Sequence, residues 1–142
     1  MSPILNPVTN AGARPPAAVE LTPEGVLAAA LPAGKGTQAL AYSYEALPEW
    51  ALVPSISEVN LKAPDVVAEA IKSALGQLST RSRAVTVVIP DSVVRVFVLD
   101  FDSLPGRADE AVPVLRFRLR KMVPFDVEHA GVSYQILSES KN

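Results

Sequence analysis

The chain has 142 residues, of which 49% are hydrophobic and 20% are charged, and its formal net charge is -2. This length and composition exclude wholesale disorder, and the weakly acidic balance excludes a general attraction to polyanions or to an anionic membrane surface. The absence of cysteine excludes disulfides, thiolate metal sites and cysteine nucleophiles.

The amino-terminal part of the sequence predicts a leader followed by a three-stranded unit. Residues 1–16 contain four prolines, which interrupt both helix and strand periodicity, and are expected to form a flexible leader. The apolar residues 17–21 and 26–31 flank Thr-Pro-Glu-Gly, which predicts a hairpin, and residues 39–45 alternate as a third strand does. In the irregular loop that follows, Trp50 is expected to pin the chain to the core.

Residues 62–78, KAPDVVAEAIKSALGQL, predict an amphipathic helix. Pro64 suits the first helical turn, Asp65 favours the positive end of the helix dipole, and Gly76 lies near the end. Apolar residues recur at steps of three and four, at Val67, Ala70, Ile71, Ala74, Leu75 and Leu78. One face of this helix is therefore expected to be buried.

The second half of the chain predicts the order strand, strand, helix, strand. The segments AVTVVIP and SVVRVFVLDFDSLP predict a hairpin of two Val-rich strands that turns at Pro-Asp. Residues 109–122 predict a helix that Pro124 ends, with Pro113 expected in its first turn. The apolar face of this helix comprises Val112, Leu115, Leu119 and Met122. Residues 131–137, GVSYQIL, alternate as a half-exposed strand does.

The sequence offers little catalytic chemistry. His129 is the single histidine, so neither a histidine-rich metal site nor a Ser-His-Asp triad can be assembled convincingly. Asp100 and Asp102 share one face of a predicted strand and are interpreted as solvated carboxylates, as is Asp109. We therefore predict no catalytic residue and no metal site.

Residues 85–137 resemble the small inserted SHS2-type subdomain of bacterial actin-like proteins, and in detail the PilM family of type IV pilus assembly proteins. The matching stretches are VTVVIPDSVVRVFVLDFDSLP at 85–105, LRFRLRKM at 115–122 and VPFDVEHAGVSYQIL at 123–137. Upstream, AAVELTPEGVLAAALPA is similar to the first hairpin of an actin-like subdomain. The resemblance covers residues 17–138.

The resemblance implies an α+β fold of two parts. An actin-like (ribonuclease H-like) amino-terminal subdomain, with a hairpin, a strand and a helix, is expected at residues 17–83. An SHS2-type β-β-α-β subdomain is expected at residues 84–138, with a short tail at 139–142. Whether the chain belongs to a longer two-domain protein is left open.

The function that the resemblance implies is that of a scaffold module of a pilus assembly platform. Such a module binds the cytoplasmic amino-terminal tail of a bitopic inner-membrane protein, so the expected location is cytoplasmic and peripheral to the bacterial inner membrane through partners. The candidate contacts are Arg116, Phe117, Arg120 and Phe125, whose rings would supply buried area and whose guanidinium groups would bond peptide oxygens. The alternative is that the arginines face water and that Phe125 packs on the helix end.

The nucleotide motif of actin-like ATPases is degenerate in this chain. Those ATPases carry Asp-x-Gly at the first hairpin turn, where Glu20 and Thr22 stand here, and Pro23 removes a backbone donor. We therefore expect no enzyme activity and no cofactor in this chain, although members of the family can bind ATP and magnesium. The amino-terminal part of an actin-like ATPase and a cytoplasmic component of a type II secretion system are kept as alternatives.

The helix predicted at residues 109–122 is basic, with Arg116, Arg118, Arg120 and Lys121. No aromatic stacking platform adjoins it, so we expect no nucleic acid as a partner. No run of about 18 apolar residues occurs, so the sequence predicts no membrane span. A homo-oligomer is left open.

Overall fold

The computed structural model describes residues 15–32, 38–80 and 83–138. The elements are β1 (Ala17–Leu21), β2 (Gly25–Ala30), β3 (Ala41–Ala46), α1 (Pro64–Gly76), β4 (Thr86–Val88) and α2 (Ala108–Leu119), with a 3-10 turn at Asp91–Val93. The chain is therefore α+β. Its contacts divide it into two units, one that ends at Val96 and one that begins at Phe97. The predicted tail, and the predicted leader up to residue 14, lie outside the described residues.

The first unit is built on a four-stranded sheet with the strand order β3-β2-β1-β4. The pairs β1–β2 and β2–β3 are antiparallel, whereas β4 runs parallel to β1. Thr22 and Gly25 exchange backbone hydrogen bonds with N–O distances of 2.9 and 3.2 Å, which leaves a two-residue loop between β1 and β2. The predicted hairpin and third strand are confirmed.

Helix α1 covers one face of this sheet and packs on β2 and β3. The core combines both layers and the loop between them, through Val19, Val26, Ala28, Leu47, Ala51, Leu52, Val67, Ala74 and Leu78. In the buried layer, Ser43 Oγ donates to the carbonyl oxygen of Ala74 at 2.6 Å, so the edge strand β3 is tied to the helix. The amphipathic pattern predicted for α1 is confirmed.

The prediction for Trp50 is wrong, because its side chain is 60% exposed. The N–H of Ala51 donates to the carbonyl oxygen of Pro48 at 2.8 Å, and this tight turn places Trp50 at its outer corner. Ala51 and Leu52 fill the core position instead. The Ala51 carbonyl oxygen also accepts from the N–H groups of Lys62 and Ala63, which closes the loop onto the start of α1.

In the second unit, helix α2 carries the buried apolar positions. Ala111 and Leu115 are buried on one face and Val127, from the turn that follows, is buried as well. The helix is confirmed, but it ends at Leu119, so Met122 is exposed rather than part of the apolar face. Pro113 is the sixth helical residue rather than a first-turn residue. It is exposed, on the side of the helix where the loss of a backbone N–H hydrogen bond destabilises the helix least.

The predicted hairpin of two Val-rich strands is wrong. β4 pairs with β1 instead, and within the described residues the structure assigns no strand to 94–105 or to 131–138. Both segments still alternate: Val96 and Val98 are 88% and 76% exposed, whereas Phe97 and Leu99 between them are half-buried. Period two indicates an extended chain with one covered face, but a strand also requires a neighbouring backbone.

Candidate functional site

The carboxyl-terminal end of α2 combines basic side chains with one displayed aromatic ring. Phe117 lies in the last turn of the helix and is 68% exposed. The basic side chains around it are Arg116, Arg118, Arg120 and Lys121. A contiguous exposed apolar patch is a common mark of an interaction surface, whereas single exposed apolar or charged side chains are ordinary.

Arg116 is engaged with its own chain. Its Nη1 donates to the carbonyl oxygen of Val127, and its Nη2 donates to that of Ala130 at 2.8 Å. A planar guanidinium group can bond two carbonyl oxygens at once, and a charged donor strengthens both bonds. Arg116 therefore fastens the turn at residues 127–130, with the buried Val127 in it, against α2.

Arg120 is also paired within the second unit. Its Nη2 forms an ion pair with Glu128 Oε1, and the two side chains are 61% and 50% exposed. Glu128 thereby offsets part of the positive charge at the carboxyl-terminal end of α2. Asp126 instead accepts a hydrogen bond from the Glu128 N–H at 2.9 Å and so shapes the turn.

Phe125 is half-buried and follows the turn that ends α2. Arg116 and Arg120 thus bond within their own unit and Phe125 is half-buried. Of the four predicted contact residues, Phe117 is the one that remains open to a partner. Arg118 and Lys121 are exposed as well, and neither forms an ion pair within the part of the chain that the structure describes.

Sequence reasoning missed the surface that these residues form. Val114, Phe117, Arg118 and Lys121 recur at steps of three, one and three residues, which places them on one side of the helix and its last turn. All four are exposed. We call this surface the basic-aromatic stripe. The spacing is present in the sequence, but spacing alone does not show which side of the helix stays exposed.

The amino-terminal end of α2 has its own electrostatic arrangement. Arg107 Nη2 lies 2.8 Å from Asp109 Oδ2, and this hydrogen bond lowers the pKa of the Asp109 carboxyl below its usual value. The resulting stability is present above the unfolded-state pKa and is lost as the pH falls through the lowered folded-state pKa. Because both groups are exposed, the effect serves to fix the start of the helix and is small.

The residues of the degenerate nucleotide motif lie at the end of β1 and in the β1–β2 turn. Glu20 is exposed, and Thr22 Oγ1 lies 3.2 Å from both the nitrogen and the carbonyl oxygen of Gly25. The backbone N–H groups of Thr22 and Gly25 are used to close the turn, and Pro23 has none. Only the N–H of Glu24 is left, whereas a phosphate cradle needs several convergent donors.

Metal binding and membrane insertion have no visible basis in residues 15–32, 38–80 and 83–138. Over these ranges, no group of three or more His, Cys, Asp or Glu side chains is placed to hold a metal ion. None of the helices described there combines the length and the apolar character that crossing a membrane requires.

Comparison with known proteins does not assign the chain to a family. The site is therefore interpreted from its own geometry, in which the basic-aromatic stripe places exposed apolar and exposed cationic side chains side by side. No protein-family model, no curated protein and no solved structure matches the chain.

Proposed function

We propose that this chain is a scaffold module of a type IV pilus assembly platform of the PilM type, in which it binds the cytoplasmic tail of a bitopic inner-membrane protein. An actin-like amino-terminal part and an SHS2-type part belong to the same proposal. The observation that carries it is Phe117, exposed in the basic-aromatic stripe and inside LRFRLRKM at 115–122, one of the stretches that carry the family resemblance.

The chemistry of the stripe suits a peptide that is both apolar and acidic. Moving a phenylalanine side chain such as that of Phe117 out of water contributes about 1.5–3 kcal/mol. Arg118 and Lys121 beside it have no carboxylate of their own chain among the described residues. A partner carboxylate would gain charge-assisted hydrogen bonds from them and would be steered towards them at low salt. An apolar residue flanked by acidic residues is therefore expected in the bound tail.

Arg116 and Arg120 act in this proposal as positioning residues rather than as contacts. Their bonds to Val127, Ala130 and Glu128 hold the turn that follows α2. A fixed turn keeps the exposed side of the helix clear and reduces the conformational entropy that binding must overcome. Loss of either arginine would then weaken binding only to the extent that it loosens this turn.

The test is a titration with the cytoplasmic amino-terminal tail of a bitopic inner-membrane pilus-assembly protein. The double variant Phe117→Ala/Arg118→Glu should lower the affinity at least tenfold, because it removes the apolar anchor and reverses one charge. Tyr42→Ala is the control, since Tyr42 is a similarly exposed aromatic residue in the other unit and should leave the affinity unchanged. An unaltered affinity for the double variant would exclude the stripe as the docking surface.

The alternative of an ATPase fragment receives less support from the same residues. In the β1–β2 turn, the backbone N–H groups of Thr22 and Gly25 already donate hydrogen bonds that close the turn. Glu20 is one methylene longer than the aspartate of the ATPase motif. A type II secretion component would share the fold and differ in the tail that it binds. Titration with tails from both kinds of system distinguishes the two platforms.

A further inference from the structure

The basic-aromatic stripe has the spacing with which one helix packs on another. Val114, Phe117, Arg118 and Lys121 stand at positions i, i+3, i+4 and i+7 of α2 and the turn that follows it. At 3.6 residues a turn they lie within an arc of about 100° and extend over about 10 Å of the helix axis. Val114 and Phe117 are 37% and 68% exposed. A docked helix places its anchoring side chains at the same steps.

The backbone of α2 distinguishes between a helical and an extended partner. Because the N–H and C=O groups inside a helix bond to each other, α2 offers a partner side chains and no strand edge. An extended peptide on this surface would leave its own backbone polar groups unpaired wherever the apolar contact excludes water. A helix satisfies its backbone internally and brings only side chains to the contact. The stripe therefore fits a helix better than a strand.

The charges of the stripe determine the chemistry of this helix. Arg118 and Lys121 lie at the carboxyl-terminal end of the stripe, and Val114 lies at the other end. Neither cation forms an ion pair among the described residues. A complementary helix therefore places carboxylates opposite Arg118 and Lys121, and apolar side chains opposite Phe117 and Val114.

The helix dipole then determines the direction of the partner. Acidic side chains stabilise a helix in its first turn and destabilise it in its last turn. A partner that runs antiparallel to α2 brings its first turn to Arg118 and Lys121, so the same carboxylates serve both the helix and the contact. A parallel partner would need them in its last turn, where the dipole opposes them.

We propose that the stripe binds an acidic amphipathic helix antiparallel to α2, with carboxylates in its first turn and apolar residues in the turns that follow. This inference rests on the proposed function for the identity of the helix as the membrane protein's tail, and adds the tail's conformation, direction and residue order. Short helices are marginal in water, so the tail is expected to become helical only when it binds.

A pair of synthetic peptides tests the direction. The first has about 14 residues, begins with Ser-Asp-Glu-Glu and continues with leucines at steps of three and four residues. Its matched control carries the same residues in reverse order. On the full chain, calorimetry should show about tenfold tighter binding of the first peptide, and circular dichroism should show a gain of helix when it binds. A nitroxide at its amino terminus should broaden the amide signals of Arg118 and Lys121 more than that of Val114.

Variants of the chain test the location. Phe117→Ala and Arg118→Glu should each weaken binding of the first peptide about tenfold, since one removes the apolar anchor and the other reverses a charge. Arg95→Glu is the matched control: it makes the same change of charge at an exposed arginine outside α2 and should leave the affinity unchanged. Circular dichroism of each free variant confirms that it is folded.

The outcomes separate this inference from the proposed function. Equal affinities of the two peptides, or a tail that binds at the stripe without gaining helix, would overturn the inference and leave the proposed function standing. Oriented binding of the first peptide, with no binding of the tail of a bitopic inner-membrane pilus-assembly protein, would support the helix site and reject the proposed function. Binding to anionic phospholipid vesicles that Phe117→Ala abolishes, with no binding of either peptide, would overturn the inference in favour of a membrane surface.

Discussion

Gly25 is a position where the fold leaves no room for a side chain. A Cβ atom at Gly25 would overlap the Tyr44 hydroxyl group and would lie 2.5 Å from the carbonyl oxygen of Glu45. Tyr44 cannot move away without loss, because its hydroxyl donates to the carbonyl oxygen of Glu24 at 2.8 Å. The tyrosine ring thus lies across the glycine and joins the edge strand to the β1–β2 turn.

We expect Gly25→Ala to lower the free energy of unfolding of the first unit by about 1–3 kcal/mol, the usual cost of overpacking a filled site. Urea denaturation followed by circular dichroism measures it. Gly76→Ala is the matched control, since a Cβ at Gly76 meets nothing within 4 Å and alanine favours a helix. Equal effects of the two substitutions would show that the ring does not occupy this space.

Arg116 offers a second test at the level of one side chain. Arg116→Ala removes two charge-assisted hydrogen bonds, so we expect a loss of about 1.5–3 kcal/mol in the unfolding free energy of the second unit. Arg116→Lys should recover little of it, because an ammonium group cannot bond both carbonyl oxygens as a planar fork does. Arg118→Ala, which removes an exposed side chain without an ion pair, should change stability by less than about 0.5 kcal/mol. A loss of that small size for Arg116→Ala would place its guanidinium group in water.

At the scale of elements, the periodicity of the two helices was readable, whereas the end of α2 was not. In α1, Pro64 and the apolar spacing predicted both the start and the buried face. In α2, Pro124 predicted a stop, but the helix ends five residues earlier, at Leu119, and the N–H of Met122 donates to the Leu119 carbonyl oxygen in a turn. A proline restricts the backbone conformation of the residue before it. It does not fix how many residues earlier the helix ends, which depends on packing.

The faces of α2 give a graded prediction. Leu115 is buried, Leu119 is half-buried and Phe117 is exposed. An aspartate at position 115 would bury an unpaired charge and leave a cavity, which costs about 2–5 kcal/mol. We expect the loss of unfolding free energy to decrease in the order Leu115→Asp, Leu119→Asp, Phe117→Asp, as measured by chemical denaturation. A larger loss at Phe117 than at Leu115 would mean that the helix presents its other side to the core.

Strands were the least predictable elements, because a strand depends on a neighbour that the pattern does not name. Residues 85–89 are Val-rich and residues 94–101 alternate in burial, yet among the described residues only the first segment finds a partner, and that partner is β1 from much earlier in the chain. Likewise, the sequence could not show that the guanidinium group of Arg116 is satisfied by carbonyl oxygens 11 and 14 residues away. Phe117 was predictable because its exposure follows from the helix alone.

At the scale of the whole molecule, the two units differ in how well each buries its apolar residues. The first unit has a continuous core between sheet and helix. Among the described residues of the second unit, the buried side chains are those of Ala111, Leu115 and Val127, and Phe117, Val98 and Leu137 remain more than two-thirds exposed. A unit with a small core and large displayed apolar side chains is suited to a role in which a partner covers part of its surface.

The most direct measurement is a nuclear magnetic resonance titration of the isotopically labelled chain with the membrane protein's tail and, separately, with Mg-ATP. A scaffold that binds through the basic-aromatic stripe predicts tail-induced shifts concentrated at the amides of Val114, Phe117, Arg118 and Lys121. It also predicts no saturable shift with Mg-ATP at residues 22–25. Saturable shifts in the β1–β2 turn with Mg-ATP, together with an unchanged α2 in the presence of the tail, would contradict the account.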